Sequence, residues 1–159
     1  MLTGSERYLD HAEHALAEPR YKKRLIQLAD NIVDHLVASM DDPRVRLGFA
    51  EEYNADWTLR ADSTEHSVGH ILKTAWCLGQ IYMIQPDPRY KAAARRRLHA
   101  VWDQGLYDRE YGGPFSNFDW AKGTITDTQK DYWMLEQGVT AGIVNYFLKP
   151  AAVGANIAE

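Results

Sequence analysis

Apolar residues recur at three- and four-residue steps along much of the chain, the spacing that places side chains on one face of an α-helix. Five stretches show this pattern and are predicted to be helices: residues 5–17, 21–40, 63–84, 88–105 and 127–148. Pro19, Pro43 and Pro150 follow three of them, where proline disfavours further helix. The pattern therefore predicts an all-α fold.

Two of the helix starts carry their own signals. Asp62 is followed three residues later by Glu65, which resembles a capping box and predicts a helix start near residue 63. Pro88 follows Asp87 and suits the first position of a helix, where its missing N–H is not needed.

Two long segments, residues 44–60 and 106–126, lose the helical period and carry glycine and aromatic residues. We predict irregular loops there, with a short strand in the first and a hairpin-like path in the second, and loops of this length are usually functional. Helix pairs separated by such loops indicate stacked α-hairpins. Residues 1–150 are expected to form a single helical domain, and residues 151–159 a flexible tail.

Composition agrees with an ordinary folded domain. The chain has 159 residues, of which 45 % are hydrophobic and 25 % charged, and its net charge is −4. That charge argues against broad electrostatic binding to nucleic acid or to an anionic membrane. The longest run without a charged residue, Thr74 to Pro86, is too short to span a bilayer, and Cys77 is the only cysteine. We therefore expect a cytoplasmic protein without nucleic-acid or membrane partners.

One face of the predicted helix over residues 63–84 has an unusual composition. Opposite the apolar stripe lie two histidines, a lysine and a cysteine: His66, His70, Lys73 and Cys77. Such a face either is ordinary surface or lines a cavity. Two histidines four residues apart could also chelate a metal, but the accompanying ligand motifs are missing, so no metal site is expected.

The basic and aromatic residues lead to further expectations. Arg95, Arg96 and Arg97 are neighbours that spread around a helix, so the run is predicted to be solvated. Trp76 and Trp102 lie beside aliphatic residues in predicted helices and are expected in the core. The loop tryptophans, Trp57 and Trp120, lie in polar surroundings of the kind that suits a sugar, which offers apolar C–H patches ringed by hydroxyl groups.

Four segments together resemble a known family. They are EEYNADW (51–57), VGHILKTAWCL (68–78), DREYGGPF (108–115) and KDYWMLEQ (130–137). They are similar, in the same order, to the Glu-x-Phe-x-x-Asp-Trp, Gly-His-x-x-Glu-x-x-Trp-Leu, Asp-x-x-x-Gly-Gly and Lys-x-Trp-Trp-x-Gln-x-Glu motifs of the N-acylglucosamine 2-epimerase family. That family includes cellobiose 2-epimerases and mannose-type isomerases, and the resemblance covers roughly residues 21–148.

The resemblance implies a fold and a reaction. The fold would be part of an (α/α)6 toroid with a sugar site at the mouth of its central cavity. The reaction would invert or isomerise a reducing sugar at the carbon next to its carbonyl, by proton transfer and without cofactor or metal. His70 matches a family histidine that exchanges protons with the substrate, and the substrate contacts would be Lys73, Lys130, Trp133 and Gln137.

The sequence departs from the family pattern at several positions. Lys73 stands where the family has glutamate three residues after the histidine, and Tyr132 replaces the first tryptophan of the last motif. Leu135 and Gln137 stand where glutamine and glutamate are expected. No histidine follows His99, so the second catalytic histidine of the family is absent, and the chain is less than half the usual family length.

These departures leave three interpretations open. The first is an epimerase- or isomerase-like domain that forms a middle portion of the toroid and is incomplete in this chain. The second is a non-catalytic helical-hairpin domain that binds a carbohydrate or a protein through the same face. The third is a metal-binding helical protein. An incomplete toroid exposes apolar edges, so we expect a second copy or a complementing chain as partner.

Overall fold

A computed structural model describes residues 19–148; the predicted helix over residues 5–17 and the tail 151–159 lie outside them. The described residues form mainly helix together with a small antiparallel sheet, so the all-α prediction missed the sheet. The elements are α1 (Pro19–Asn31), β1 (Glu65–Ser67), α2 (Val68–Ile84), α3 (Pro88–Asp103), β2 (Asn117–Asp119), β3 (Thr124–Asp127) and α4 (Tyr132–Phe147). None of the helices in this part of the chain is both long and apolar enough to span a membrane.

The helix predicted over residues 21–40 is confirmed, but its winding changes along its length. After α1, residues Ile32–Val37 form a π-helical segment and Ala38–Asp41 a 3₁₀ segment. Ser39 closes this stretch: its hydroxyl donates to the Leu36 carbonyl at 2.7 Å and accepts from the Ala50 N–H at 3.2 Å. The end of the stretch is thereby held against the following loop.

The predicted start of the helix over residues 63–84 is wrong by about five residues. Residues 65–67 form β1, and the helix begins at Val68, with Ser67 as the N-cap whose hydroxyl accepts from the Gly69 N–H at 3.2 Å. Strand β1 pairs with β2 in antiparallel register, which aligns Glu65 with Asp119. This pairing joins segments far apart in the chain and overrides the local capping preference at Asp62.

The expected hairpin-like path of residues 106–126 is confirmed, since β2 and β3 form an antiparallel pair. The turn between them is built around Asp119, whose carboxylate accepts from the backbone N–H groups of Ala121 at 3.1 Å and Lys122 at 2.9 Å. Burial raises the pKa of Asp119, but hydrogen bonds from Lys122 and Thr64 outweigh it and lower the pKa to about 2. Gly123 ends the turn with φ +74°.

The remaining two helices begin at aspartate caps. The predicted start at Pro88 is confirmed, and the Asp87 carboxylate accepts from the Arg89 N–H at 2.8 Å. The last helix begins at Tyr132 rather than at 127 or 128, because Asp127 ends β3 and residues 128–131 form a short connection. Its N-cap is Asp131, which accepts from the Trp133 N–H at 2.9 Å.

Helix α2 lies at the centre of the core and packs against both α3 and α4. Its buried residues include Val68, Ile71, Leu72, Ala75, Trp76 and Leu78. Trp120 is also buried, contrary to its predicted place in a polar loop. Trp102, predicted in the core, is 38 % exposed and stacks on Tyr107 with ring centroids 5.4 Å apart.

The close contact between α2 and α4 depends on Gly79. A Cβ on this residue would overlap the side chain of Val144 and lie 3.1 Å from Leu148. We predict that Gly79→Ala lowers the free energy of unfolding by about 1–3 kcal/mol. The gain of about 1 kcal/mol in helix propensity from alanine is too small to offset the overlap.

Urea denaturation of the two proteins measures this difference. Gly142→Ala is the matched control, because a Cβ there meets nothing within 4 Å. It should raise stability by up to about 1 kcal/mol. Equal effects of the two substitutions would contradict the proposed packing of α2 on α4.

Candidate functional site

His70 and Glu51 form the central pair of the candidate site. His70 is the third residue of α2, and its Nδ1 lies 2.8 Å and 2.9 Å from the two carboxylate oxygens of Glu51. The His70 side chain is 49 % exposed, whereas that of Glu51 is 19 % exposed. Because a carboxylate only accepts, the contact assigns the proton to Nδ1 and leaves Nε2 as the nitrogen that can exchange a proton with a ligand.

His66 binds the same glutamate from the opposite side. Its Nε2 accepts a hydrogen bond from the Glu51 backbone N–H at 3.1 Å, and its Nδ1 lies 3.6 Å from a Glu51 carboxylate oxygen. Burial lowers the pKa of His66, an effect that the charge of Glu51 opposes. His66 is therefore a neutral ring that holds the Glu51 segment against β1.

The prediction that His66 and His70 lie on the same face of one helix is wrong. His66 precedes α2 and is buried on β1, so it does not lie one helical turn from His70. What joins the two histidines is their common contact with Glu51. Within residues 19–148 no group of three or more His, Cys, Asp or Glu side chains is arranged to hold a metal ion.

A cavity of about 230 Å³ lies beside His70. Its lining combines an imidazole, a carboxylate and an ammonium group with two apolar side chains and a hydroxyl: His70, Glu51, Lys73, Leu36, Phe49 and Thr74. The volume is below the roughly 300–1,000 Å³ of typical small-molecule sites. The Thr74 hydroxyl donates to the backbone carbonyl of His70 at 2.7 Å, so this hydrogen bond does not involve the imidazole nitrogens.

The indole of Trp133 lies next to the imidazole of His70, with ring centroids 5.7 Å apart and the planes tilted by 52°. Gly69 permits this approach, because a Cβ there would lie 2.5 Å from the Trp133 ring. The glycine that precedes the histidine thus lets α4 bring an aromatic face to the site. Of the predicted site residues, Lys73 lines the cavity with His70, whereas Trp133 contacts the imidazole without lining the cavity.

The other two predicted substrate contacts have protein partners. Gln137 accepts from the Trp76 indole N–H at 2.6 Å, and Lys130 donates to Asp108 at 2.7 Å. The Lys130 ammonium holds the pKa of Asp108 below its usual value. Neither Gln137 nor Lys130 lines the cavity beside His70.

Neither loop tryptophan lines this cavity either. Trp57 stacks on the ring of His35, with centroids 3.8 Å apart and planes 3° from parallel, and its φ is +65°. Both residues line a separate cleft of about 480 Å³. Trp120 is in the core, where its indole N–H donates to the Ser63 carbonyl at 3.3 Å.

A buried cation packs against Phe49, which lies two residues before Glu51 in the chain. Arg97, predicted to be solvated, is fully buried, with its Cζ 3.5 Å from the centroid of the Phe49 ring. Its side-chain nitrogens have no hydrogen-bond partner among the described residues. Burial lowers the pKa of Arg97 to about 9, and attraction to Glu51 opposes that effect.

Sequence reasoning missed Glu51 as the partner of His70. The two residues are 19 positions apart, and only the fold brings them together. One signal was present: Lys73 stands where the family pattern has glutamate, so the carboxylate for the imidazole had to come from another segment. The motif EEYNADW offered one in Glu51.

Comparisons with known proteins bear on the fold of this chain. No protein-family model matches the chain, and none of the curated proteins matches it. A crystal structure of D-mannose isomerase matches 83 % of this chain with a TM-score of 0.70 and 23 % sequence identity. This chain shares the fold of the matched part of that protein. The matched part is 33 % of the length of that protein, so this chain spans about a third of it.

We predict that His66 makes stability depend on pH. Because burial lowers the His66 pKa, the unfolded chain takes up the proton first as the pH falls below 6.5. His66→Gln retains an oxygen that can accept from the Glu51 N–H and has no titrating group. Between about pH 7 and about pH 5 the variant should gain about 1 kcal/mol relative to the original protein.

Urea unfolding at a series of pH values measures this difference. Above about pH 7 the two stability curves should run parallel, since imidazole is then neutral in both states. Curves that stay parallel down to about pH 5 would contradict a buried, neutral His66.

Proposed function

We propose that this chain is a sugar epimerase- or isomerase-like domain that acts on the carbon next to the carbonyl of a reducing sugar. The observation that carries the proposal is the His70–Glu51 pair beside a cavity lined by Phe49, with the Trp133 ring next to the imidazole. The fold shared with D-mannose isomerase and the four family-like motifs support it. A part of an (α/α)6 toroid of the N-acylglucosamine 2-epimerase family is the architecture we propose.

In the proposed reaction His70 is the proton-transfer group. Its Nε2 removes the proton from carbon 2 of the open-chain sugar, and the carbonyl oxygen takes up the electron pair as an enediolate forms. Glu51 holds the Nδ1–H and stabilises the imidazolium that results, as a carboxylate does for other catalytic histidines. The same imidazolium then returns its proton to the substrate.

Isomerisation is the reaction that His70 can support by itself. Among the described residues, it is the only histidine that lines the cavity. One base can move a proton from carbon 2 to carbon 1 on one face of the enediolate while the hydroxyl proton passes from oxygen 2 to oxygen 1, and these two transfers convert an aldose to a ketose. Inversion at carbon 2 requires a second group on the opposite face.

The other predicted residues take supporting roles. Lys73 lines the cavity and would stabilise the developing negative charge on the sugar oxygen. Trp133 would pack against the C–H face of the sugar. Gln137 and Lys130 are proposed as substrate contacts on the family resemblance alone, since they bind Trp76 and Asp108 and do not line the cavity.

We further propose that the domain is incomplete in this chain and acts in the cytoplasm. The small cavity and the one-third coverage of D-mannose isomerase support incompleteness. Cys77 as the only cysteine supports a reducing compartment.

Proton exchange measured by NMR in deuterated water tests the proposal. D-mannose is the first substrate, followed by glucose, N-acetylmannosamine and cellobiose, and the signals are the carbon-2 proton and the ketose product. We predict that His70→Asn slows exchange by about 100-fold or more. Asparagine retains a donor for Glu51 in the place of Nδ1 but cannot relay a proton.

The matched control is His99→Asn, a change at an exposed histidine of α3 that should leave exchange unaltered. Circular dichroism establishes that each variant is folded. A folded original protein that gives no exchange above buffer with any of the four sugars would reject an enzyme and favour a binding domain. Equal exchange in His70→Asn would reject His70 as the base.

A further inference from the structure

The outward face of α4 is apolar and exposed. Five large side chains form a stripe along it, with exposed fractions from 43 % to 81 %: Tyr132, Leu135, Val139, Ile143 and Tyr146. We call these five residues the α4 stripe. Glu136 is the only acidic or basic residue in the whole helix.

The opposite face of α4 is buried. Met134, Ala141, Val144 and Asn145 lie there, and the helix packs on α2. An exposed apolar stripe gains free energy when it leaves water, so a second surface that covers the α4 stripe would be stabilising.

The order of residues in the α4 stripe is symmetric about Val139. Leu135 and Ile143 lie four positions before and after it, and Tyr132 and Tyr146 lie seven positions before and after it. If two copies of α4 meet in antiparallel orientation with a two-fold axis at Val139, each tyrosine faces the other tyrosine of the partner copy. Leu135 then faces Ile143, and Val139 faces itself.

This symmetry is the property that an isologous interface requires, in which the same patch serves both partners. The spacings of four and seven residues also match the seam of two helices that pack at a small angle. An uncharged stripe places no like charges opposite each other across a two-fold axis. A Cβ at Gly142, at the edge of the stripe, would meet nothing within 4 Å, so a partner can approach there.

We propose that the α4 stripe is a two-fold interface between two copies of this chain. Apolar side chains with aromatic rings at both ends provide the contact, and Val139 lies on the axis. The proposal does not depend on the sugar chemistry, because none of the five residues lines the cavity beside His70.

A charge swap on the axis tests the interface, since each copy of residue 139 faces its equivalent. In Val139→Glu two carboxylates meet, and in Val139→Lys two ammonium groups meet, so each variant alone should be monomeric. An equal mixture of the two should form dimers again, because opposite charges then face each other. Sedimentation velocity of the full chain measures the mass, and each single variant should weaken pairing at least about tenfold.

The matched control is Leu28→Glu, which adds the same charge at a leucine of α1 that is 48 % exposed. It should remain dimeric. Val139 is 63 % exposed and both of its variants should fold, which circular dichroism establishes. An original protein that stays monomeric up to about 100 μM would overturn the proposal, as would a mixture of the two variants that stays monomeric.

Discussion

The contacts of Glu51 hold together the parts of the chain from which the candidate site is built. Its backbone N–H donates to His66 on β1, and its carboxylate accepts from His70 on α2. Since the two contacts use different atoms of one residue, the loop is fixed in position and in direction. The fixed loop in turn holds Phe49 and the carboxylate at the cavity. A half-exposed imidazole without this anchor would sample several rotamers.

The loop that contains Glu51 also packs, through Phe49, against the buried charge of Arg97. Phe49 packs between the cavity and the guanidinium of Arg97, which has no hydrogen-bond partner within residues 19–148. Burial of an unpaired cation is unfavourable, and contact with an aromatic face compensates only in part. The charge of Glu51 acts against the effect of burial on the Arg97 pKa. The same carboxylate thus interacts with the imidazole of His70 and with the guanidinium of Arg97.

Periodicity predicted most of the helical structure and failed where a strand precedes a helix. Strand β1 has only three residues, too few to show an alternating pattern, and the prediction places it in the following helix, whereas all of β3 except Asp127 falls in the predicted hairpin-like segment. Strand β1 pairs with β2, which aligns Glu65 with Asp119, 54 positions away in the chain. Local capping preferences at Asp62 and near Asp127 could not reveal it. The aspartate cap of α3, a purely local feature, was predicted correctly.

The motifs point to several residues of the candidate site but not to the partner of His70. His70, Lys73 and Trp133 follow from their motifs and lie together, whereas the partner of His70 depends on a loop 19 residues away. In the basic run Arg95 and Arg96 are exposed, as predicted, and only Arg97 departs from the prediction. In the helix, Arg97 shares a face with Tyr90, Ala94 and Val101 and is buried with them.

Ser67 has a consequence for how such a site can change. It is both the last residue of β1 and the N-cap of α2, so sheet and helix meet at one residue without a linker. His70 follows only three positions later, and its ring direction is coupled to the twist of the sheet. Sequence changes in the distant β2–β3 hairpin can therefore rotate the imidazole and alter its reactivity while every residue around the cavity stays the same.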